Sequence, residues 1–278
     1  MLIIDSLEEM KSFSKETRSK GKTIGFVPTM GSLHQGHLSL VDRAESECDV
    51  VMVSIYVNPT QFSTLQDAAD YPRCLEKDLQ YCRAQGVDVV FTPSSIEMYP
   101  ESYSTFVEVE GLSDILCGVS NPSHFIGVST IVLKLFNLIK PDTAYFGLKD
   151  YQQYIIVKKM VTDLNMDVSI IGCPTVREES GLAMSSRNQL LSEEGRERAS
   201  VIFKSLTECK RLFQEGIKNS NILKEEIRKR IMKENVDLDY LEIVDPRTLM
   251  QVEKVSKKAI VLIAVYVDGI RLIDNIEL

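Results

Sequence analysis

Residues 50–57, VVMVSIYV, form an almost unbroken apolar run. A strand with one wet face alternates apolar and polar residues. A run without alternation needs cover on both faces, which a parallel sheet flanked by helices provides. Similar runs stand at 23–27 and 87–91, with weaker ones at 143–146 and 168–173. Helical spacing lies between them. Leu75, Leu79 and Cys82 share a stripe within 73–84, an apolar stretch over 128–138 predicts a buried helix, and Ile155, Ile156, Met160 and Leu164 recur within 151–164. This alternation predicts an α/β fold with a Rossmann-like, doubly wound parallel sheet.

The pattern changes near residue 175. Ser192 is placed to cap a charged helical stretch reaching 215, and a second charged helix covers about 221–233. Strand patterns follow at 238–244, 259–267 and 270–276, with Asp268-Gly269 between the last two as a type I′ hairpin signal. The expectation is therefore two domains: 1–175 with the parallel sheet, and 176–278 as a smaller C-terminal α+β domain carrying an antiparallel sheet.

Composition narrows the function. The net charge of −8 argues against a nucleic-acid partner held by a broad basic surface, yet leaves room for a local nucleotide site. No apolar run approaches the roughly 20 residues of a membrane span. The N-terminus lacks a basic segment and soon turns acidic, unlike a secretory signal. None of the six cysteines forms a CxxC pair, so reduced thiols, no zinc site and a cytoplasmic setting are expected.

Four constellations could carry chemistry. The first is PTMGSLHQGH at 28–37: strand, glycine turn, then two histidines at a helix entry. A helix N-terminus favours anions, and imidazole N–H groups can donate to phosphate oxygens whose charge changes during reaction. Helix capping is the plainer reading. The second is VNPTQF at 57–62, where Asn58 and Gln61 suit hydroxyls and carboxylates, although Asn-Pro alone marks a turn. The third is FGLKDYQQ at 146–153. There Lys149 can reach phosphate, Asp150 can cap a helix or meet a ribose, and Gln153 sits one turn on; an ordinary capped helix with a solvated lysine is the alternative. The fourth is GLAMSSRN at 181–188, two hydroxyls and an arginine able to grip triphosphate oxygens, or else a surface loop.

Taken together and in this order, these segments resemble the pantoate–β-alanine ligase family of the HxGH nucleotidylyltransferases, a superfamily that includes the class I aminoacyl-tRNA synthetases. Two weaker matches accompany them. Tyr71-Pro72-Arg73 with Asp78 resembles YPRxxxxDL, and His124-Phe125-Ile126-Gly127-Val128 resembles HFxGV, with Asn121 where an arginine is common and Ser123 in place of glycine. The resemblance spans 25–190; the last hundred residues add a compatible length.

The resemblance implies ATP-dependent condensation of D-pantoate with β-alanine through a pantoyl adenylate, releasing AMP and pyrophosphate. It implies catalytic roles for His34, His37, Lys149, Ser185, Ser186 and Arg187. It implies ATP contacts from Met30, Gly31, Ser32, Leu33, His34, Gln35, Gly36 and His37. Gly147, Leu148, Lys149, Asp150, Val176, Met184, Ser185, Ser186 and Arg187 complete that set. Leu148 stands where many relatives carry an acidic or amide residue, so its side chain is not expected to act. Gln61, Gln153 and Asn58 are implied for pantoate and β-alanine. Mg²⁺ is implied with ATP, with Asp78 as a candidate outer partner, against the plainer reading of a solvated helix carboxylate. Ser180 replaces the family's aspartate ahead of Gly181, which leaves that loop's shape open. The family also implies a homodimer, and a loop at 184–187 that closes over ATP. Two other readings compete: a nucleotidylyltransferase acting on a phosphate or alcohol, and a nucleotide sensor that binds ATP without turnover.

Overall fold

In the computed structural model, which describes residues 1–62 and 64–278, the chain opens with a strand that its hydrophobic pattern does not reveal. This is β1 (Leu2–Ile4), too short at three residues to show a period. It is followed by α1 (Leu7–Ser19), β2 (Ile24–Thr29), α2 (Gln35–Glu47), β3 (Val50–Ile55), α3 (Leu65–Asp70), α4 (Leu75–Ala84) and β4 (Val89–Phe91). Then come α5 (Ser95–Met98), α6 (Cys117–Ser120), α7 (His124–Ile139), β5 (Thr143–Gly147), α8 (Tyr151–Asp163) and β6 (Ser169–Cys173). The C-terminal part holds α9 (Glu193–Ala199), α10 (Val201–Gln214), α11 (Ser220–Lys233), β7 (Asp237–Val244), β8 (Ile260–Val267) and β9 (Ile270–Glu277). The chain divides into two compact units: Met1–Leu148 with Gln152–Pro174, and Lys149–Tyr151 with Thr175–Leu278.

The first unit is a six-stranded sheet in the order β1-β4-β3-β2-β5-β6, with every pair parallel. Phe26, Met52, Val53, Val89, Val90, Phe91 and Tyr145 are fully buried, as strands covered on both faces require. Gly25 lets α2 lie close, because a Cβ there would meet the Cys48 and Ala44 side chains at 3.0–3.2 Å. On the other face Phe136 of α7 packs edge-on to Phe26 with centroids 6.2 Å apart. Helix α7 is buried on most sides, as its composition predicts. The stripe of α4 is shifted from the expected one: Leu75 is 47 % exposed, whereas Asp78 and Cys82, four residues apart, face inward.

The chain runs outward from β2 to β3 and β4 on one side and to β5 and β6 on the other, so β2 and β5 flank the topological switch point. The two strands pair only at Gly25–Thr143 and Phe26–Ala144, whereas β2 follows β3 as far as Thr29–Ile55. Part of the reason is local. The Thr29 carbonyl accepts from Tyr56 on the β3 side and the Ile24 carbonyl accepts from Asp142 on the β5 side. Even-numbered backbone groups of β2 therefore face β5, and Pro28 has no N–H to donate there. Beyond Phe26 the strands part, and such a split beyond the carboxyl ends is where open α/β sheets take ligands.

In the second unit β7, β8 and β9 form an antiparallel sheet in that order. Val261, Ile263 and Val265 pack with Leu206 and Cys209 of α10 and with Leu223, Ile227 and Ile231 of α11. Asp268 and Gly269 both have positive φ, +52° and +75°, the type I′ geometry the dipeptide predicts. Ser192 caps α9 by accepting from the Gly195 N–H, and the expected long helix is divided at Ser200 into α9 and α10.

Candidate active site

The segment after β2 makes a turn of two consecutive left-handed residues, Gly31 (φ +81°) and Ser32 (φ +52°). The resemblance implies that Gly31, Ser32 and Leu33 contact ATP; in the structure the N–H groups of these three residues bond within the protein. The Gly31 N–H donates to Thr29 Oγ1 at 3.1 Å. The Ser32 and Leu33 N–H groups donate to the two carboxylate oxygens of Asp78 at 2.8 and 2.7 Å. Asp78 is 2 % exposed, so it is not the solvated helix carboxylate of the plainer reading. Among the described residues no three His, Cys, Asp or Glu side chains assemble to hold a metal ion. Burial, and then the nearby Asp78 carboxylate, push the Cys82 thiol up to about 11.

The histidines themselves close the start of α2. His34 Nδ1 accepts from the Gly36 N–H at 3.1 Å, and His37 Nδ1 accepts from the His34 N–H at 3.3 Å, a reciprocal capping box. A ring nitrogen that accepts carries no proton, so in each neutral imidazole the proton sits on Nε2. The rings lie 4.1 Å apart, centroid to centroid, tilted by 38°. Capping and donation are therefore compatible, one on each ring nitrogen. Gln35 is exposed, while Gly36, His34 and His37 are half-buried.

After β3 a 3-10 turn at Pro59–Gln61 follows Asn58. Asn58 is 1 % exposed, and its side chain is committed to protein partners. Its Oδ1 accepts from Thr60, and its Nδ2 donates to Gln61 Oε1 at 3.2 Å and to the Gly127 carbonyl at 3.1 Å. Asn58 thus supports the turn. Gln61 in turn donates from Nε2 to Met30 Sδ at 2.8 Å, which ties the β3 turn to the β2 turn. The HFxGV match now has a physical meaning. His124 Nδ1 lies 2.8 Å from the Gln61 carbonyl, and a Cβ on Gly127 would sit 2.5 Å from the Thr60 carbonyl oxygen. The first turn of α7 clamps Gln61 from behind.

After β5, Gly147 and Leu148 belong to the first unit and Lys149, Asp150 and Tyr151 to the second. Gln153 is half-buried on α8. Its neighbour Gln152, to which the sequence assigns no role, pins the 112–117 segment. Gln152 Nε2 donates to the Leu112 and Ile115 carbonyls at 2.9 and 2.7 Å, and its Oε1 accepts from the Cys117 N–H.

The second unit holds Lys149 by its backbone. Asn275 Nδ2 of β9 donates to the Lys149 carbonyl at 3.0 Å, and the Tyr151 hydroxyl donates to the Pro246 carbonyl at 3.0 Å. The Lys149 ammonium lies 3.5 Å from Asp150. In the same unit, 176–184 fold as a small hairpin. The Met184 N–H donates to the Val176 carbonyl and Arg177 bridges Ala183. Ser180 Oγ accepts from the Leu182 N–H at 3.3 Å, so the hydroxyl performs the turn-closing task open to an aspartate at that position. The hairpin is fixed by Arg177, whose guanidinium makes two bonds to Asp274, at 2.6 and 2.9 Å, donates to the Gly181 carbonyl and lies 3.9 Å over the Phe203 ring. A 3-10 turn then carries Ser186 and Arg187, capped by Ser185 Oγ accepting from the Arg187 N–H. Ser186 is buried and Arg187 exposed, its Nη1 donating to the Arg271 carbonyl. Asn275, Asp274 and Arg271 escape sequence reasoning because β9 lies about a hundred residues from the motifs it supports; a polar run inside a strand pattern, Asp274-Asn275, is the one available signal.

A family model described as pantoate-beta-alanine ligase matches residues 2–277. A pantothenate synthetase of Thermotoga petrophila is 54 % identical over 276 residues, covering 99 % of both chains. The crystal structure of pantothenate synthetase from Thermus thermophilus superimposes with a TM-score of 0.94 at 40 % identity, covering 99 % of each chain. A pantoate-beta-alanine ligase from Francisella tularensis, crystallised in complex with beta-gamma ATP and beta-alanine, has a TM-score of 0.82 at 38 % identity, covering 99 % of this chain and 97 % of that one.

Proposed function

The chain belongs to the pantoate-beta-alanine ligase family, and from that premise we propose that its two histidines, one lysine and one Ser-Ser-Arg turn drive the joining of pantoate to β-alanine with ATP. Pantothenate, AMP and pyrophosphate are the products. The observation that supports the site assignment best is the capping box itself, which puts the ring protons of His34 and His37 on Nε2 at the switch point of the sheet.

In the first step a pantoate carboxylate oxygen attacks the α-phosphorus of Mg-ATP. The bond from that phosphorus to the bridging oxygen breaks, and pyrophosphate leaves with the electron pair. Negative charge grows on the leaving group and on the α-phosphate oxygens. His34 and His37 meet it as fixed N–H donors, and Lys149, Ser185, Ser186 and Arg187 meet it as cation and hydroxyl donors. In the second step the β-alanine amine attacks the activated carbonyl carbon. The carbon–nitrogen bond forms, AMP leaves and the amine loses a proton. Gln61 and Gln153 orient pantoate, and Asn58 and His124 hold Gln61. Magnesium belongs to the nucleotide substrate in this scheme. No enzyme nucleophile is required, because adenylation supplies the leaving group. Burial holds the Cys82 and Cys209 thiols up to about 11 and 12, far from thiolate reactivity. A homodimer and a cytoplasmic setting are carried over from the family as part of the proposal; among the described residues no helix is long and apolar enough to cross a membrane.

Product analysis tests the reading. AMP and pyrophosphate form in equal amounts with pantothenate, and neither ADP nor a stable nucleotidylated product accumulates. A nucleotidylated alcohol or phosphate without AMP identifies a transferase instead. Binding of ATP without turnover identifies a sensor. Arg187→Ala lowers adenylation about 10²-fold, the usual cost of one charge-stabilising donor, and leaves the unfolding midpoint nearly unchanged because the side chain is exposed. Wild-type adenylation in Arg187→Ala removes that residue from the site.

A further inference from the structure

We propose that Asp78 is a positioning residue for the imidazole pair, acting through the backbone of Ser32 and Leu33; this rests on the reading of His34 and His37 as charge stabilisers. Three observations converge. The carboxylate is 2 % exposed and spends one oxygen on each of two successive N–H groups, at 2.8 and 2.7 Å. It presses against Gly31, where a Cβ would lie 2.9 Å from Asp78 Oδ2. The residue it grips, Ser32, holds a left-handed backbone (φ +52°) that a serine rarely adopts.

Successive N–H groups of this kind form a ready anion cradle, and in phosphate loops they face the ligand. Here the anion is part of the protein. The carboxylate fills the cradle from beneath, compensates the unusual conformation of Ser32, and fixes the direction in which the chain enters His34. His34 is the next residue after Leu33, and its extended backbone (φ −143°, ψ 175°) starts the capping box. The sequence of constraint runs from Asp78 through two peptide groups to His34, and through the His34 N–H to His37. By taking the turn's donors, Asp78 also leaves charge stabilisation in this loop to the imidazoles, which can be oriented by the caps.

Asp78→Asn is the test, because it keeps the volume and replaces one acceptor oxygen with a donor that faces an N–H. The account predicts a fall of about 10- to 100-fold in kcat for pantoate-dependent ATP–pyrophosphate exchange, the scale of a misplaced catalytic group. The KM for pantoate stays within about twofold, and the magnesium concentration for half-maximal rate does not move. Nitrogen-15 spectra of the imidazoles change from the Nε2–H tautomer to a mixture for His34 and His37, while His124 is unaltered. Asp78→Glu, which keeps both acceptor oxygens but displaces them by one methylene from the Ser32 and Leu33 N–H groups, gives the same kcat-selective loss and supplies the answer if Asp78→Asn does not fold. An unaltered tautomer pattern with wild-type kcat overturns the proposal, as does a defect that excess magnesium repairs, which would make Asp78 a metal partner. The spectra judge Asp78 without reference to activity. Intact exchange in His37→Ala would instead strike at the reading on which the proposal rests.

Discussion

His37→Ala lowers pantoate-dependent ATP–pyrophosphate exchange about 10³-fold, a barrier increase of about 4 kcal/mol. Two losses coincide in that variant and their sizes separate them. The cap is lost, because His37 Nδ1 no longer accepts from the His34 N–H, and a cap contributes on the order of 1 kcal/mol to stability. The Nε2–H donor is lost as well, and its effect falls on the transition state, where charge on the phosphates is greatest. The KM for ATP therefore changes little while kcat falls. The His34 N–H also loses its acceptor, which disturbs the entry to the helix and with it the His34 ring, so the double variant with His34→Ala costs less than the sum of the two singles. Exchange rate and unfolding midpoint, measured on the same preparation, check this. A rate loss that only tracks the unfolded fraction would reduce His37 to a helix cap.

The second large effect is on stability. Asp274→Ala destabilises the protein by about 3–5 kcal/mol, the scale for removing one partner of a buried ion pair. The side chain of Asp274 is 2 % exposed and that of Arg177 18 %, and the two are joined by parallel hydrogen bonds. Removing the carboxylate leaves a guanidinium half-enclosed between Phe203 and the Gly181 carbonyl with no counter-charge. Denaturant unfolding reads the loss as a lower midpoint at unchanged slope. Disrupting the exposed Lys20–Glu16 pair has far less effect, because water screens both charges. A midpoint shift no larger than that surface control would show that the hairpin at 176–184 does not depend on Arg177. Because the same hairpin leads into Ser185, Ser186 and Arg187, Asp274→Asn also slows adenylation at temperatures where the variant is folded.

How much of this was legible in the sequence depends on the range of the interaction involved. The buried strands and the hairpin at Asp268-Gly269 depend on near neighbours, and their patterns predict them. The motif positions at the ends of β2, β3 and β5 follow from chain order in a doubly wound sheet. Asp78 required the sheet, because its partners are 45 and 46 residues away. The spacing to Cys82, four residues on, did place a carboxylate on an inward stripe, and the aliphatic choice of Leu75 hid it. The anchoring of Asn58 was hidden as well, because Gly127, whose carbonyl takes its donor, lies 69 residues away. The direction of the Ser32 and Leu33 N–H groups depends on a pair of backbone dihedrals that composition does not encode. Asn275, which holds the Lys149 carbonyl, comes from the strand furthest along the chain.

The central claim is acyl adenylation of pantoate, and isotope exchange between ATP and pyrophosphate measures it most directly. With pantoate present and β-alanine absent, exchange is rapid, it requires pantoate, and added β-alanine then releases AMP in step with pantothenate. Absence of exchange with pantoate, from folded protein that binds ATP, would contradict the account.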